Sequence, residues 1–116
     1  MANGTQDLKG QTLAQLEALR STLTSTDWQI RMMSASAEQK QQNSDVRILA
    51  DARIAQLEDV QLDRIQAQID ANAAALNDAI AGVQDAVGHL QDVGKVLAAA
   101  TTLLKVVGKV FAAVAM

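Results

Sequence analysis

The chain has 116 residues, a net charge of −3, 49% apolar residues, and neither cysteine nor proline. That length suits one small domain, and the apolar share is too high for a disordered chain. The missing cysteines exclude a disulfide framework and a thiolate zinc site. The charge is unevenly spread: residues 1–92 hold all 13 acids and seven bases (−6), and residues 93–116 hold three lysines and no acid (+3), which sums to −3. An acidic body argues against nucleic acid, whose phosphates need clustered Lys and Arg. With one Trp, one Phe and no Tyr, the composition points to helix throughout.

The opening residues, MANGTQDLKG, have no apolar h-region, so no Sec signal peptide is expected. Thr5 can cap a first helix, with Asp7 near its positive end. Leu16, Leu19, Leu23, Ile30, Met33 and Ala37 then recur at helical spacing beside Leu13, which predicts an amphipathic helix. The run Ser21 to Thr26 weakens it, because hydroxyl side chains compete for backbone hydrogen bonds. A break with Thr26 as a new N-cap is the less favoured alternative. Trp28 lies two residues before Ile30 and points away from that apolar stripe. It is either an anchor for a partner or, on the reading that weighs more, packing for another helix of the same bundle. Residues 34–45 carry almost no large apolar side chain, so the hinge is expected there, with Asn43-Ser44-Asp45 as turn and cap. Val46, Leu49, Ile54 and Leu57 resume a stripe, and the steps Ile54, Leu57, Gln61, Ile65 form a stutter.

From Leu62 onward a repeat of seven takes over. One position reads Leu62, Ile69, Leu76, Val83, Leu90, Leu97, Leu104, Phe111, and another reads Ile65, Asn72, Ala79, Ala86, Val93, Ala100, Val107, Val114. Such spacing keeps one seam facing a partner helix. The expected fold is all-α: a long helical hairpin or coiled coil with its seam from Leu62 to Val114, assembled into an oligomeric bundle. Three segments form one structural unit: 1–43, the N-terminal helix and hinge; 44–92, a long acidic helix; and 93–116, a cationic apolar helix. A continuous helix from Asp45 to the end would span about 108 Å at 1.5 Å per residue, more than twice what the first helix can cover. Either the chain self-associates or the helix breaks, at Gly82, Gly88 or Gly94 with Asp92 as a cap. The unbroken phase of the repeat favours continuity. Asn72, the one polar residue of its series, is a candidate register device. On the opposite face Ala67, Ala74, Ala75, Ala81, Gly82 and Gly88 either let a second helix approach closely or are no more than good helix formers, in the case of the alanines, on a solvated face.

Past Val93 the flanking residues Val96, Leu103 and Val110 are apolar too, and the polar face shrinks to Lys95, Thr102, Lys105 and Lys109. GKVLAAATTLLKVVGKVFAAVAM resembles in character the cationic amphipathic peptides that act on membranes, a compositional likeness over about a fifth of the chain. A simple spanning helix is disfavoured, since the uncharged run Val96–Leu104 falls well short of the ~18 residues needed. The lysines would face headgroups or line a wet lumen, and no acidic partner for them is expected. Alternatively the tail is the driest layer of a soluble oligomer.

Catalytic chemistry is not expected. Asp85, His89 and Asp92 share one helix surface and could hold a divalent metal, but an exposed helix ion pair is the better reading. Glu58, Asp59, Asp63 and Asp70 form a solvated carboxylate face. There is no Ser/His/Asp or Cys/His set and no phosphate-cradling glycine loop. The leading expectation is a non-enzymatic, self-associating coiled-coil protein whose residues 93–116 engage a membrane as anchor or pore element. The runner-up is a soluble self-assembling structural subunit of a filament, sheath or secretion apparatus, with the C-terminal helix as its oligomeric core. A third class is a helical adaptor that hides its tail until a partner arrives. The expected partners are a second copy of the chain and an anionic membrane, with no cofactor, metal, nucleic acid or small-molecule substrate. The expected location is membrane-associated or cytoplasmic.

Overall fold

Short helices with identifiable ends replace the long continuous helix that the repeat of seven predicts. The computed structural model describes the backbone of residues 4–60 and 62–115, with side-chain packing described for 8–60 and 64–112. Among the described residues there are six helices and no strand: α1 Gly4–Leu23, α2 Thr26–Met33, α3 Ala37–Asp59, α4 Leu62–Ala71, α5 Ala73–Val87 and α6 Val93–Ala115. The Thr5 and Asp7 side chains lie outside the described residues.

Each break has a local cause. The hydroxyl run ends α1: Thr24 Oγ1 donates to Arg20 O (3.0 Å) and Ser25 Oγ to Thr22 O (2.7 Å). Ser25, not Thr26, then caps α2 by accepting the Trp28 N–H at 3.2 Å. The hinge is far shorter than the polar stretch 34–45 suggests. It spans Ser34–Ser36, and Ser36 with Gln39 forms a reciprocal capping box that starts α3 at once. Asn43, Ser44 and Asp45 are helical, so the 43/44 boundary falls inside α3. A lack of apolar residues does not by itself stop a helix whose N-terminus is this well capped.

The other expectation that changes is continuity from Asp45 onward. Val60 adopts an extended backbone and ends α3. At Asn72 the N–H is shared between Gln68 O and Ile69 O, and the side-chain amide donates to Gln68 O at 2.8 Å, which loosens the ladder between α4 and α5. Residues 88–92 form a turn closed by Gly88 and His89 N–H bonds to Asp85 O and Ala86 O. Asp92 does cap the last helix, accepting the Lys95 N–H at 3.1 Å.

The helices fold into a bundle whose longest extent is 44 Å. The contacts between elements fix its layout. Lys9 Nζ donates to Val60 O and Arg20 pairs with Asp51, so α1 and α3 are antiparallel neighbours. Gln42 reaches Thr101 and Arg53 lies against Gly108, so α3 and α6 run parallel. Asp85 pairs with Lys95 across the α5–α6 turn, so those two are antiparallel. Both α4 and α5 pack on α1 and α6, acting as one bent arm. The result is a four-cornered bundle in which α1 faces α6 across the centre and α3 faces α4–α5. At the crossing, Thr12, Leu57, Ile69, Leu76, Val107 and Val110 close around a void of about 10 Å³, room for a single water at most. Thr12 is buried but satisfied, donating to Leu8 O at 2.7 Å.

Candidate functional site

Helix α6 is the most apolar helix, and it packs against α3, α4 and α5. Val96, Leu97, Ala100, Leu103, Leu104, Val107 and Val110 are all buried, none more than 2% exposed. Lys95, Ala98, Thr102, Lys105, Lys109 and Ala112 form the stripe left in solvent. Val96, Leu103 and Val110, read from the sequence as membrane-facing, therefore face the bundle interior. The α3 and α5 packing that covers them was not visible in the repeat. Lys95, Lys105 and Lys109 are exposed, as that reading requires. Among the described residues no helix is long and apolar enough to cross a membrane.

The seam residues are brought together, but within one chain. Ile65, Ile69, Leu76, Val83, Leu97, Leu104 and Val107 are buried, while Asn72, Leu90, Val93 and Phe111 are half-buried. The side chains of Leu62 and Val114 lie outside the described residues. A stripe already covered by its own chain removes the original ground for self-association, which was an apolar seam longer than any internal partner. The amide of Asn72 is spent on Gln68 O four residues back. Trp28, read as a possible partner anchor, has no exposed surface at all, and its indole Nε1 donates to Asn43 Oδ1 at 2.9 Å. An indole fully enclosed by its own bundle has nothing to present to a partner.

The α5–α6 turn carries the charged cluster singled out in the sequence. Lys95 Nζ stands 2.6 Å from Asp85 Oδ2, so one tail lysine does have an acidic partner, contrary to expectation. His89 Nε2 is 3.9 Å from Asp85 Oδ1, and Asp92 caps α6. The three residues serve separate local tasks, and no group of metal-ligating side chains converges among the described residues. The hydrogen bond and charge of Lys95 hold the Asp85 carboxyl below its ordinary value of 3.8, with a smaller contribution from His89. A carboxyl lowered on folding stabilises above its unfolded value and loses that contribution as pH falls through the lowered one. Both partners are solvated, so the effect on stability is small and screened by salt. Carbon-detected NMR titration should place Asp85 below 3.8, and Lys95→Ala should return it toward that value. An Asp85 midpoint unmoved by the substitution would mean the pair is not formed in solution.

Shallow clefts mark the surface of the described residues. One of about 630 Å³ sits at the end of the bundle between α2, the start of α3 and the 88–92 turn, lined by Ile30, Arg31, Gln39 and Asp92 among others. One of about 360 Å³ runs between α5 and α6, over Ala75, Gly82, Ala99 and Val106. One of about 220 Å³ runs between α3 and α6, over Asp45, Leu49, Thr101 and Lys105. Below it, Arg53 donates from Nη1 to Gln56 Oε1 and lies flat against α6. Gly108 makes that possible, since a Cβ there would stand 2.8 Å from Arg53 Nη2. Nothing in the sequence signalled this contact, because it joins residues 55 positions apart on helices whose adjacency the repeat does not encode. Compared with known proteins, the chain matches no family model, no curated protein and no solved structure.

Proposed function

We propose that the chain is a non-enzymatic, self-assembling structural subunit that acts through the outer faces of its bundle, with α6 as its core. The observation that supports this is how α5 and α6 divide their charge. The apolar faces of α6 turn inward, and its outer stripe bears Lys95, Lys105 and Lys109 with no acid. The neighbouring α5 bears Asp78 and Asp85 with no base. A surface with one sign on each of two adjacent helices suits recognition of another such surface. The clefts are shallow and carry no convergent set of catalytic groups.

A second reading is membrane engagement by α6. It draws on Lys105 and Lys109, neither of which has an ion pair among the described residues. It requires the bundle to open, exposing side chains each worth roughly 1.5–3 kcal/mol of burial, which lipid would have to offset. Two measurements on the full chain separate the readings. Sedimentation equilibrium at micromolar concentration should show a dimer or larger species, and liposome flotation should leave the protein in solution. A monomer at every accessible concentration would contradict self-assembly. Flotation with anionic but not neutral vesicles, abolished by high salt, would favour the membrane reading.

A further inference from the structure

Arg53 crosses from α3 to α6 without a carboxylate partner among the described residues. The side chain is half-buried; its Nη1 donates to Gln56 Oε1 at 2.9 Å, and its Nε is buried with no acceptor. A buried N–H without an acceptor costs free energy. The guanidinium rests on Gly108, where a Cβ would stand 2.8 Å from Nη2. Glycine inside a helix costs stability relative to alanine, so α6 gives up helix propensity where the guanidinium lies. Lys105 lines the same interface beside Leu49, one helical turn before Gly108. Lys109 directly follows Gly108 and is the i,i+4 neighbour of Lys105, about 5–6 Å away at Cβ. Both lysines are exposed, and neither has an ion pair among the described residues. Asp45 shares the cleft with Lys105, and its Oδ1 accepts from Gln41 Nε2 at 3.0 Å. It stands about 12 Å before Arg53 along the α3 axis, and it is within ion-pair distance of neither Arg53 nor Lys105.

We propose that Arg53, Lys105 and Lys109 form a seat for a phosphate group. Three neighbouring cations repel one another, and a polyvalent anion between them relieves that repulsion. The planar guanidinium offers a fork of donors that matches two phosphate oxygens at once, and the lysines add point charges on either side of Gly108. A small outward turn of the guanidinium brings its Nε–Nη2 edge to an anionic oxygen, which gives the orphaned Nε an acceptor. A single carboxylate would offset one charge of the three, so the arrangement favours phosphate over a monocarboxylate. Gly108 is what separates a built seat from diffuse attraction to a basic surface, because it fixes where the guanidinium lies. The proposal does not depend on self-assembly.

The test uses the full chain, isotope-labelled, with inorganic pyrophosphate as the probe. Titration followed by NMR should shift the Gly108 amide and the Arg53 Nε–H resonance saturably. Gly108→Ala keeps all three cations and raises helix propensity, so by circular dichroism the bundle should melt no lower. Its Cβ displaces the guanidinium, so binding should weaken by about tenfold or more. Arg53→Lys keeps the charge and loses the fork, and it should weaken binding as well. Phosphatidylcholine vesicles carrying a phosphorylated headgroup lipid identify the source of the phosphate. Competition with pyrophosphate points to a headgroup and its absence to a free anion, and either result keeps the seat. Shifts that grow linearly without saturation, or equal affinity in the wild type and Gly108→Ala, mean only diffuse attraction to a basic surface and overturn the proposal.

Discussion

Trp28→Ala should cost about 3–5 kcal/mol, the range for removing a buried aromatic side chain. Small domains have only ~5–15 kcal/mol in total, so much of the protein's stability depends on this one residue. The indole is completely enclosed, and its ring N–H is bonded to Asn43 on α3. Its backbone N–H is bonded to the Ser25 cap. Helix α2 has eight residues, too short to persist without tertiary packing, so the indole also holds α2 to α3. Trp28→Phe keeps most of the apolar contact and gives up the hydrogen bond, so it should lose less, about 1–3 kcal/mol. Urea unfolding followed by circular dichroism measures both. A loss under 1 kcal/mol for the alanine variant would mean that the indole is not enclosed in solution.

Leu104→Asp should be at least as damaging. Leu104 is 1% exposed on the α3-facing side of α6. An unpaired carboxylate there cannot be solvated without opening the α3–α6 interface, at a cost of several kcal/mol. The expected result is loss of a cooperative thermal transition. The adjacent Lys105 is exposed, so Lys105→Gln should change stability by no more than about 0.5 kcal/mol. If α6 were a free tail awaiting a membrane, both substitutions would leave the melting curve unchanged.

The repeat of seven marked buried positions on α4, α5 and α6, but on α2 the expected stripe failed: Ile30 and Met33 are exposed, while Trp28 and Met32 are buried. Ile65, Ile69, Leu76, Val83, Leu97, Leu104 and Val107 all belong to the repeat of seven, and all are buried. Legibility ended at the question of what covers that face. Periodicity records that a stripe is dry, and an intramolecular neighbour dries it as well as another chain does. The phase also runs undisturbed through residues 88–92, because a turn of that length rejoins two antiparallel helices with the same side inward. Gly88 marked the break, whereas Gly82 and Gly94 lie within α5 and α6, and unbroken phase was the weaker signal. At Val60 and Asn72 there is neither glycine nor proline, and the only local signal is the Asn72 amide, which bonds back to Gln68 O. The Ser36–Gln39 capping box was readable as S-x-x-Q, but the polar run after it drew attention to Asn43–Asp45. The α5–α6 groove had a partial trace in the sequence, in Ala75 and Gly82 of the small residues on the face opposite the seam. The α6 wall of the groove had none, since only the fold sets Ala99 and Thr102 beside α5.

Hydrogen exchange of the full chain in the absence of lipid tests most directly whether α6 is the core. Amides in the most buried helix open only with global unfolding, whereas those of a free tail exchange almost at once. A closed bundle predicts that peptides spanning Val96–Val110 exchange more slowly than any others in the chain. Exchange of that segment at the rate of an unstructured peptide, with protection gained only on adding anionic vesicles, would contradict it.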